Sequence, residues 1–151
     1  MTLLTIFKQQ CTFQPEHIAF TEADKQLTYQ QTQEKTHQLS YLLTTKNQKI
    51  ERVAIALDRG IDAAIAILSV LNISACYIPL DINNPENRLN FIVNDADVQL
   101  IIGKGTCPAW IDKSEQWVDI EQLTPTPHKI QYQTADNSES LAAILYTSGS
   151  T

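Results

Sequence analysis

The sequence has no C-x-x-C pair. Its three cysteines, Cys11, Cys76 and Cys107, are odd in number and widely spaced, which argues against a dithiol redox motif or a zinc site and reads as three reduced thiols. Cys76 falls in an apolar, strand-like run and is expected to be a buried small hydrophobe. His17, His37 and His128 stand apart from one another and from every cysteine, so none is assigned to a metal or to catalysis. Basic residues are scarce: 11 Lys and Arg against 17 Asp and Glu give a net charge of −6. They are scattered and form no stripe, which weighs against a nucleic-acid partner. Long hydrophobic runs are also missing. Ile61 to Ile73, the longest, is too short for a membrane span and contains Asp62. The start, MTLLTIFKQQ, has no basic residues ahead of its apolar stretch and no long h-region, against a secretory signal. The expected compartment is the cytoplasm. Neither G-x-x-x-x-G-K-[ST] nor a G-x-G-x-x-G after the first strand is present. What remains, 151 residues with 43% apolar and 19% charged side chains, is the composition of one acidic globular domain large enough to bury a core.

Periodicity divides the chain. Thr2 to Gln10 suits a short amphipathic helix, and His17 to Phe20 with Gln26 to Tyr29 suits a hairpin around a polar turn. Thr28, with Gln31 three residues on, forms a capping-box pattern that opens a helix running to about Thr45, with Leu39, Leu42 and Leu43 inward. Val53 to Leu57 is an apolar run of strand length, turned by Asp58-Arg59-Gly60. Ile61 to Ile73 is a helix apolar on most of its circumference, as for one lying between a sheet and a second layer. Ala75 to Leu80 is a second strand. Asn84-Pro85-Glu86 is a helix start with a cap residue, a proline at the first helical position and an acidic first turn. The helix then runs to Asp95, whose neighbourhood, with Asp97, reads as a helix end; Arg88 reads as a surface or structural charge. Val98 to Ile102 is a third strand and Trp117 to Ile120 a further one. The polar stretch Leu123 to Ser140 is a surface connection, and Leu141 to Tyr146 resumes as a strand. Strand and helix alternate in the pattern of a parallel sheet with right-handed crossovers.

The last residues, LAAILYTSGST, pass from an apolar run into small hydroxyl residues around one glycine. Thr147, Ser148, Gly149, Ser150 and Thr151 offer backbone N–H groups and hydroxyls to one small volume, which suits phosphate. Taken alone, a Ser/Thr/Gly tail at a terminus is more often simply disordered.

Three segments carry a resemblance. TLLTIFKQQ with LTYQQTQEKTHQLSYLL is similar to a pattern T-L-x-x-L-F followed by L-T-Y-x-E-L-x-x-x-x-N-x-L-A-x-x-L, with Thr32 and His37 replacing the leucine and asparagine. LNISACYIPLDINNPENRL is similar to L-K-A-G-x-A-Y-V-P-L-D-P-x-Y-P-x-x-R-L: Tyr77, Pro79, Leu80, Asp81, Pro85, Arg88 and Leu89 match, while Ser74, Ile82 and Asn84 replace glycine, proline and tyrosine. LAAILYTSGST is similar to the start of L-A-Y-x-x-Y-T-S-G-S-T-G-x-P-K-G. In this order they resemble the opening of the adenylation domains of nonribosomal peptide synthetases, within the acyl-adenylate-forming, AMP-binding superfamily.

The resemblance implies an α/β fold, a mostly parallel sheet with flanking helices forming the incomplete N-terminal part of the large subdomain. Residues 1–151 would be a partial domain cut inside the phosphate-loop motif. It implies a reaction in which an amino-acid carboxylate attacks the α-phosphate of ATP, bound with Mg2+, to give an aminoacyl adenylate and pyrophosphate. The adenylate passes to the phosphopantetheine thiol of a peptidyl carrier domain. Thr147, Ser148, Gly149, Ser150 and Thr151 would position the β- and γ-phosphates; no catalytic residue and no metal ligand is assigned within the chain. The expected partners are the amino acid and the carrier domain, with no nucleic acid and no membrane. Alone, the chain is expected to be inactive and to expose apolar surface along Ile61 to Ile73 and the edge strands. An acyl-CoA or aryl-acid ligase is the alternative within the superfamily; a non-catalytic interaction relic is the alternative outside catalysis.

Overall fold

A computed structural model describes residues 2–46, 49–125 and 142–147. Helix α1 (Leu3–Phe13) is capped by Thr2, whose Oγ1 accepts from the Thr5 N–H at 3.2 Å, and runs three residues beyond the expected Gln10. Strands β1 (Ile18–Glu22) and β2 (Lys25–Thr28) pair antiparallel as the expected hairpin. The capping box opens α2 (Tyr29–Lys46) as its sequence predicts: Thr28 Oγ1 accepts from Gln31 N at 3.1 Å, and Gln31 Oε1 accepts from Thr28 N at 2.9 Å. Two orphan donors at the helix start are thereby satisfied reciprocally.

The remaining elements are β3 (Arg52–Ile55), α3 (Ile61–Asn72), β4 (Cys76–Pro79), α4 (Glu86–Asp95), β5 (Leu100–Gly103) and β6 (Trp117–Asp119). The four strands form one parallel sheet in the order β4-β3-β5-β6. The chain steps from β3 outward to β4, then crosses back over β3 to β5. Because crossovers keep one hand, steps in opposite directions place their helices on opposite faces. Side chains follow the two-residue period of a strand. Val53, Ile55, Leu100 and Ile102 face α2 and α3, whereas Ala54, Ala56 and Ile101 face α4 through Leu89, Ile92 and Val93.

Helix α3 is not the exposed apolar element expected of it. Leu39 and Leu43 of α2 are fully buried in the same cluster as Ile61, Ile65, Ala66 and Val70, while Leu68 packs with Leu4, Phe7 and Cys11 of α1. The first two helices thus supply the second layer themselves. Between α2 and α3 the contact includes buried polar groups: Asn72 Nδ2 donates to Ser40 Oγ at 3.0 Å, Ser40 Oγ donates to the Ser69 carbonyl at 3.3 Å, and Ser69 Oγ donates to the Thr36 carbonyl at 3.3 Å.

Both α3 and α4 end in the same device. Past Asn72, Ser74 N donates to Leu71 O and Ala75 N to Val70 O; past Asp95, Asp97 N donates to Asn94 O and Val98 N to Val93 O. These are Schellman caps, and their left-handed positions are Ser74 (φ 60) and Asp97 (φ 55). The cap consumes Val98, which is why β5 starts at Leu100 rather than at the expected Val98. At the other end of α4, Pro85 is the N-cap, a place expected of Asn84.

Candidate functional site

In a parallel sheet every strand discharges its chain at the same edge, and in α/β folds ligands bind there. Here the segments leaving β3 and β4 are joined by a third. Tyr77 of β4 donates through its N–H to the Ala142 carbonyl at 2.9 Å and accepts from Ile144 N at 3.0 Å, a parallel bridge between Tyr77 and Ala143. The expected strand Leu141 to Tyr146 is therefore a single bridge in the described residues, and Leu141 lies outside them. That bridge still makes residues 142–144 a neighbour of β4 running the same way.

Beyond these three carboxyl ends lies a crevice of about 950 Å³, its walls including Asp58 and Arg59 after β3, Asp81 after β4, Arg88 of α4, and Tyr146 and Thr147. A second crevice of about 490 Å³ adjoins it between the exits of β3 and β5, sharing Leu57, Asp58, Arg59 and Ile82 and reaching Lys104, Trp110 and Trp117. Asp81 shapes the rim: its Oδ1 accepts from Asn83 N at 3.0 Å and its carbonyl from Asn84 N at 2.9 Å, turning the chain into α4. Gly60, at φ 154, makes the tight exit from β3. The Glu22 carboxylate accepts from Ile61 N at 3.0 Å and so caps α3 from the hairpin.

Thr147, the one predicted phosphate-loop residue among those described, is exposed and lines the larger crevice. Ser148, Gly149, Ser150 and Thr151 lie outside the described residues. Two side chains of α4 reach the segment leading to the loop. Arg88 Nη2 donates to the Thr147 carbonyl at 2.6 Å, and the Tyr146 hydroxyl donates to Asp95 Oδ2 at 2.7 Å. The Arg88 guanidinium also lies over the Phe91 ring, 5.9 Å from its centroid. Desolvation, and then the hydrogen bond and charge of Asp95, push the Tyr146 phenol above its ordinary pKa; Arg52 and Arg88 oppose the shift.

The sequence alone gives Arg88 as a surface or structural charge and Asp95 as part of a helix end; the structure adds their contacts with the loop's lead-in. The partners are 59 and 51 residues away, so no local pattern announces them. The one available sign is that Arg88 and Asp95 are seven apart on α4, two turns along the same side of a helix.

Arg59, Arg88, Asn84 and Asn87 supply N–H donors to the larger crevice, opposed by the carboxylates of Asp58 and Asp81. That donor set fits phosphate oxygens. Among the described residues no group of three or more His, Cys, Asp and Glu side chains gathers as a metal site. Nor is any helix there long and apolar enough to cross a membrane. Burial pushes the Cys11 thiol up to about 11 and raises that of Cys76, as for inert packed sulfurs.

A family model described as "AMP-binding enzyme" matches residues 7–151. The chain is 31% identical over 150 residues to bacitracin synthase 2 of Bacillus licheniformis, covering 99% of this chain and 6% of that protein. It is 32% identical over 143 residues to the vanchrobactin synthetase VabF of Vibrio anguillarum, covering 91% of this chain and 5% of that protein. The chain thus spans about one twentieth of the length of these relatives. Among solved structures, it superposes on the N-terminal subdomain of NpsA from Klebsiella oxytoca, in complex with 3-hydroxybenzoyl-AMSN, with a TM-score of 0.81. That match has 23% identity and covers 98% of this chain and 38% of that one. On the O-succinylbenzoate coenzyme A synthetase MenE of Bacillus subtilis, in complex with AMP, the TM-score is 0.77 at 18% identity, covering 96% of this chain and 39% of that one. At these identities the superpositions speak for the fold.

Proposed function

Because the chain belongs to the AMP-binding enzyme family, we propose that it forms the opening part of an amino-acid-adenylating domain. In this reading Thr147, with Ser148, Gly149, Ser150 and Thr151, holds the β- and γ-phosphates of ATP. The observation that carries the reading is the parallel bridge of Ala143 to Tyr77. It supports the delivery of Thr147 to the carboxyl edge of the sheet, beside a crevice that Arg59 and Arg88 also line. Bound ATP, with Mg2+, would supply the adenylyl group, with pyrophosphate leaving. The work of these residues is to align the leaving phosphates and offset their charge through N–H and O–H donors. Amino acids are favoured over aryl or acyl acids by the Pro79-Leu80-Asp81 motif and by the peptide synthetases among the relatives. A peptidyl carrier domain, through its phosphopantetheine, is the acceptor in the whole protein.

The chain by itself neither forms an adenylate nor binds ATP tightly, since it corresponds to 38% of the NpsA subdomain. Two or three charge-assisted hydrogen bonds of about 1.5–3 kcal/mol each are largely offset by ordering the turn at about 1–2 kcal/mol per residue, so affinity is no tighter than millimolar, about −4 kcal/mol. Titration of the 15N-labelled chain with inorganic tripolyphosphate is the test. Amide shifts concentrated at Thr147 to Thr151 are expected; shifts elsewhere, or none at several millimolar, overturn the phosphate-loop assignment. An ATP–pyrophosphate exchange assay on the purified chain tests the inactivity, which turnover above background with any amino acid would refute.

A further inference from the structure

Two contacts join one face of α4 to the residues that lead into the hydroxyl-rich turn. We propose that Arg88 and Asp95 are positioning residues for this turn, latching its lead-in to α4 at two successive residues. Arg88 holds the Thr147 carbonyl at 2.6 Å, and Asp95 holds the Tyr146 hydroxyl at 2.7 Å.

The geometry requires such a device. The lead-in is tied to the sheet through Tyr77 alone among the described residues, at Ala142 and Ile144. Ile144 and Tyr146 pack, half-buried, against the core on the α4 side, while Leu145 between them is exposed. That packing leaves the direction of Thr147, exposed at the crevice, to polar contacts, and a turn that binds an anion needs its N–H groups aimed before the anion arrives. Helix α4 is a firm post: Leu89, Ile92 and Val93 bury its inner side against the sheet, and the Schellman cap closes its end. Arg88 sits near its start and Asp95 is its last residue, so the two latch points are separated along a rigid rod by about 10 Å. The Phe91 ring beneath the guanidinium restricts the Arg88 side chain. Both contacts end on groups of the lead-in other than a backbone N–H: the Thr147 carbonyl and the Tyr146 hydroxyl.

What the turn binds rests on the phosphate-loop reading above; the latch rests on the contacts alone. If unlatched chains visit the competent geometry only 10–20% of the time, as an order-of-magnitude guide, apparent affinity falls about five- to tenfold. The test uses the full 151-residue chain, 15N-labelled, as wild type, Arg88→Ala, Arg88→Lys and Asp95→Ala. In Arg88→Ala and Asp95→Ala, heteronuclear NOEs at Leu145, Tyr146 and Thr147 should fall while the Ile101 and Ile102 amides of β5 stay unchanged. Arg88→Lys should recover part of the loss through its single ammonium. The tripolyphosphate Kd should rise about five- to tenfold in both alanine variants. Asp95→Ala is decisive: loss of a negative charge alone would tighten polyanion binding, whereas a lost latch weakens it. The proposal is overturned by NOEs at the wild-type level in both alanine variants, by changes that spread into β5, or by tighter binding in Asp95→Ala. If the NOEs respond as expected and tripolyphosphate shifts nothing at Thr147 even in wild type, the latch stands and the phosphate assignment falls.

Discussion

Ser74 occupies a position that its own backbone marks for glycine. It is the first residue past the C-cap of α3, at φ 60, with Ser74 N on Leu71 O and Ala75 N on Val70 O closing the Schellman motif. A left-handed conformation costs an L-residue about 1–2 kcal/mol through the clash of Cβ with the following carbonyl. Replacing Ser74 with glycine removes that strain, but it returns about 0.4–1 kcal/mol by widening the unfolded ensemble. The first term wins: Ser74→Gly should stabilise the chain by about 0.5–1 kcal/mol, or about 1–4 °C in Tm for this size. Asp97, at φ 55 in the equivalent cap of α4, supplies the control. Aspartate enters the left-handed region more readily than serine, so Asp97→Gly should gain less, about 0–0.5 kcal/mol. Urea unfolding followed by far-UV circular dichroism, with the m-value unchanged, reads both. A neutral or destabilised Ser74→Gly, or a larger gain at Asp97, would refute the reasoning.

Gly60 argues in the opposite direction: at φ 154 an alanine is strained by about 1–3 kcal/mol. Its Cβ would also stand 2.8 Å from Glu22 Cδ, displacing the flexible carboxylate and with it the cap on Ile61, worth about 1 kcal/mol. Gly60→Ala should therefore cost about 2–4 kcal/mol in the native background and about 1 kcal/mol less with Glu22→Ala, and equal costs in that double-mutant cycle would sink the account. Ile65, 1% exposed between α2 and the sheet, should not tolerate aspartate. Loss of about 2–3 kcal/mol of apolar burial, added to several kcal/mol for an unpaired buried charge, exceeds half of a typical domain's stability. Ile65→Asp should be unfolded by circular dichroism, Ile65→Val should lose only about 0.5–1.5 kcal/mol, and a folded Ile65→Asp chain contradicts the assigned packing. Stability should also fall in alkali through Cys11, whose thiol is raised from 9.0 to about 11 in the folded chain. Between those values the unfolded chain releases a proton that the folded one keeps, so the contribution is whole below pH 9 and lost as pH rises through about 11. Solvent screening keeps its size below the roughly 2–3 kcal/mol that the full shift would give. Cys11→Ala should flatten the urea midpoint between pH 9 and 11 relative to wild type, and an unchanged slope counts against it.

Local chemistry was legible and long-range partnership was not. The capping box of Thr28 and Gln31 is a reciprocal contact over three residues, so spacing alone finds it. The alternation of strand and helix from Val53 to Ile102 likewise follows from apolar runs and turn residues. Boundaries moved where a cap took residues that periodicity alone gives to a strand, as at Val98. The burial of α3 was half read: its all-round apolar surface predicts cover on most sides, but not that Leu4, Phe7, Leu39 and Leu43 provide it. Expecting that cover from elsewhere led to an exposed α3 that the fold does not have. At the site, the hydroxyl-rich motif could be read from Thr147 onward, whereas the hold of α4 on its lead-in joins residues more than fifty positions apart.

Register decides whether the motif reaches the site at all. From Tyr77 the chain advances four residues to Asp81, and from Ala143 it advances four to Thr147; because Tyr77 and Ala143 are paired parallel, the two advances end side by side. At about 3.3 Å per residue each covers about 13 Å, enough to pass the end of β4 and enter the crevice that both Asp81 and Thr147 line. An antiparallel pairing of the same residues would send Thr147 to the opposite edge of the sheet, away from the crevice that Asp81 lines. A slip of two residues would keep the strand direction and the inward faces yet move Thr147 by about 7 Å. The two hydrogen bonds of Tyr77 set that register, and the contact of Asp95 with the Tyr146 hydroxyl agrees with it, since only Tyr146 in the segment 142–147 carries a phenol. The sheet thus fixes the edge at which the turn emerges, and α4 fixes where along that edge it begins.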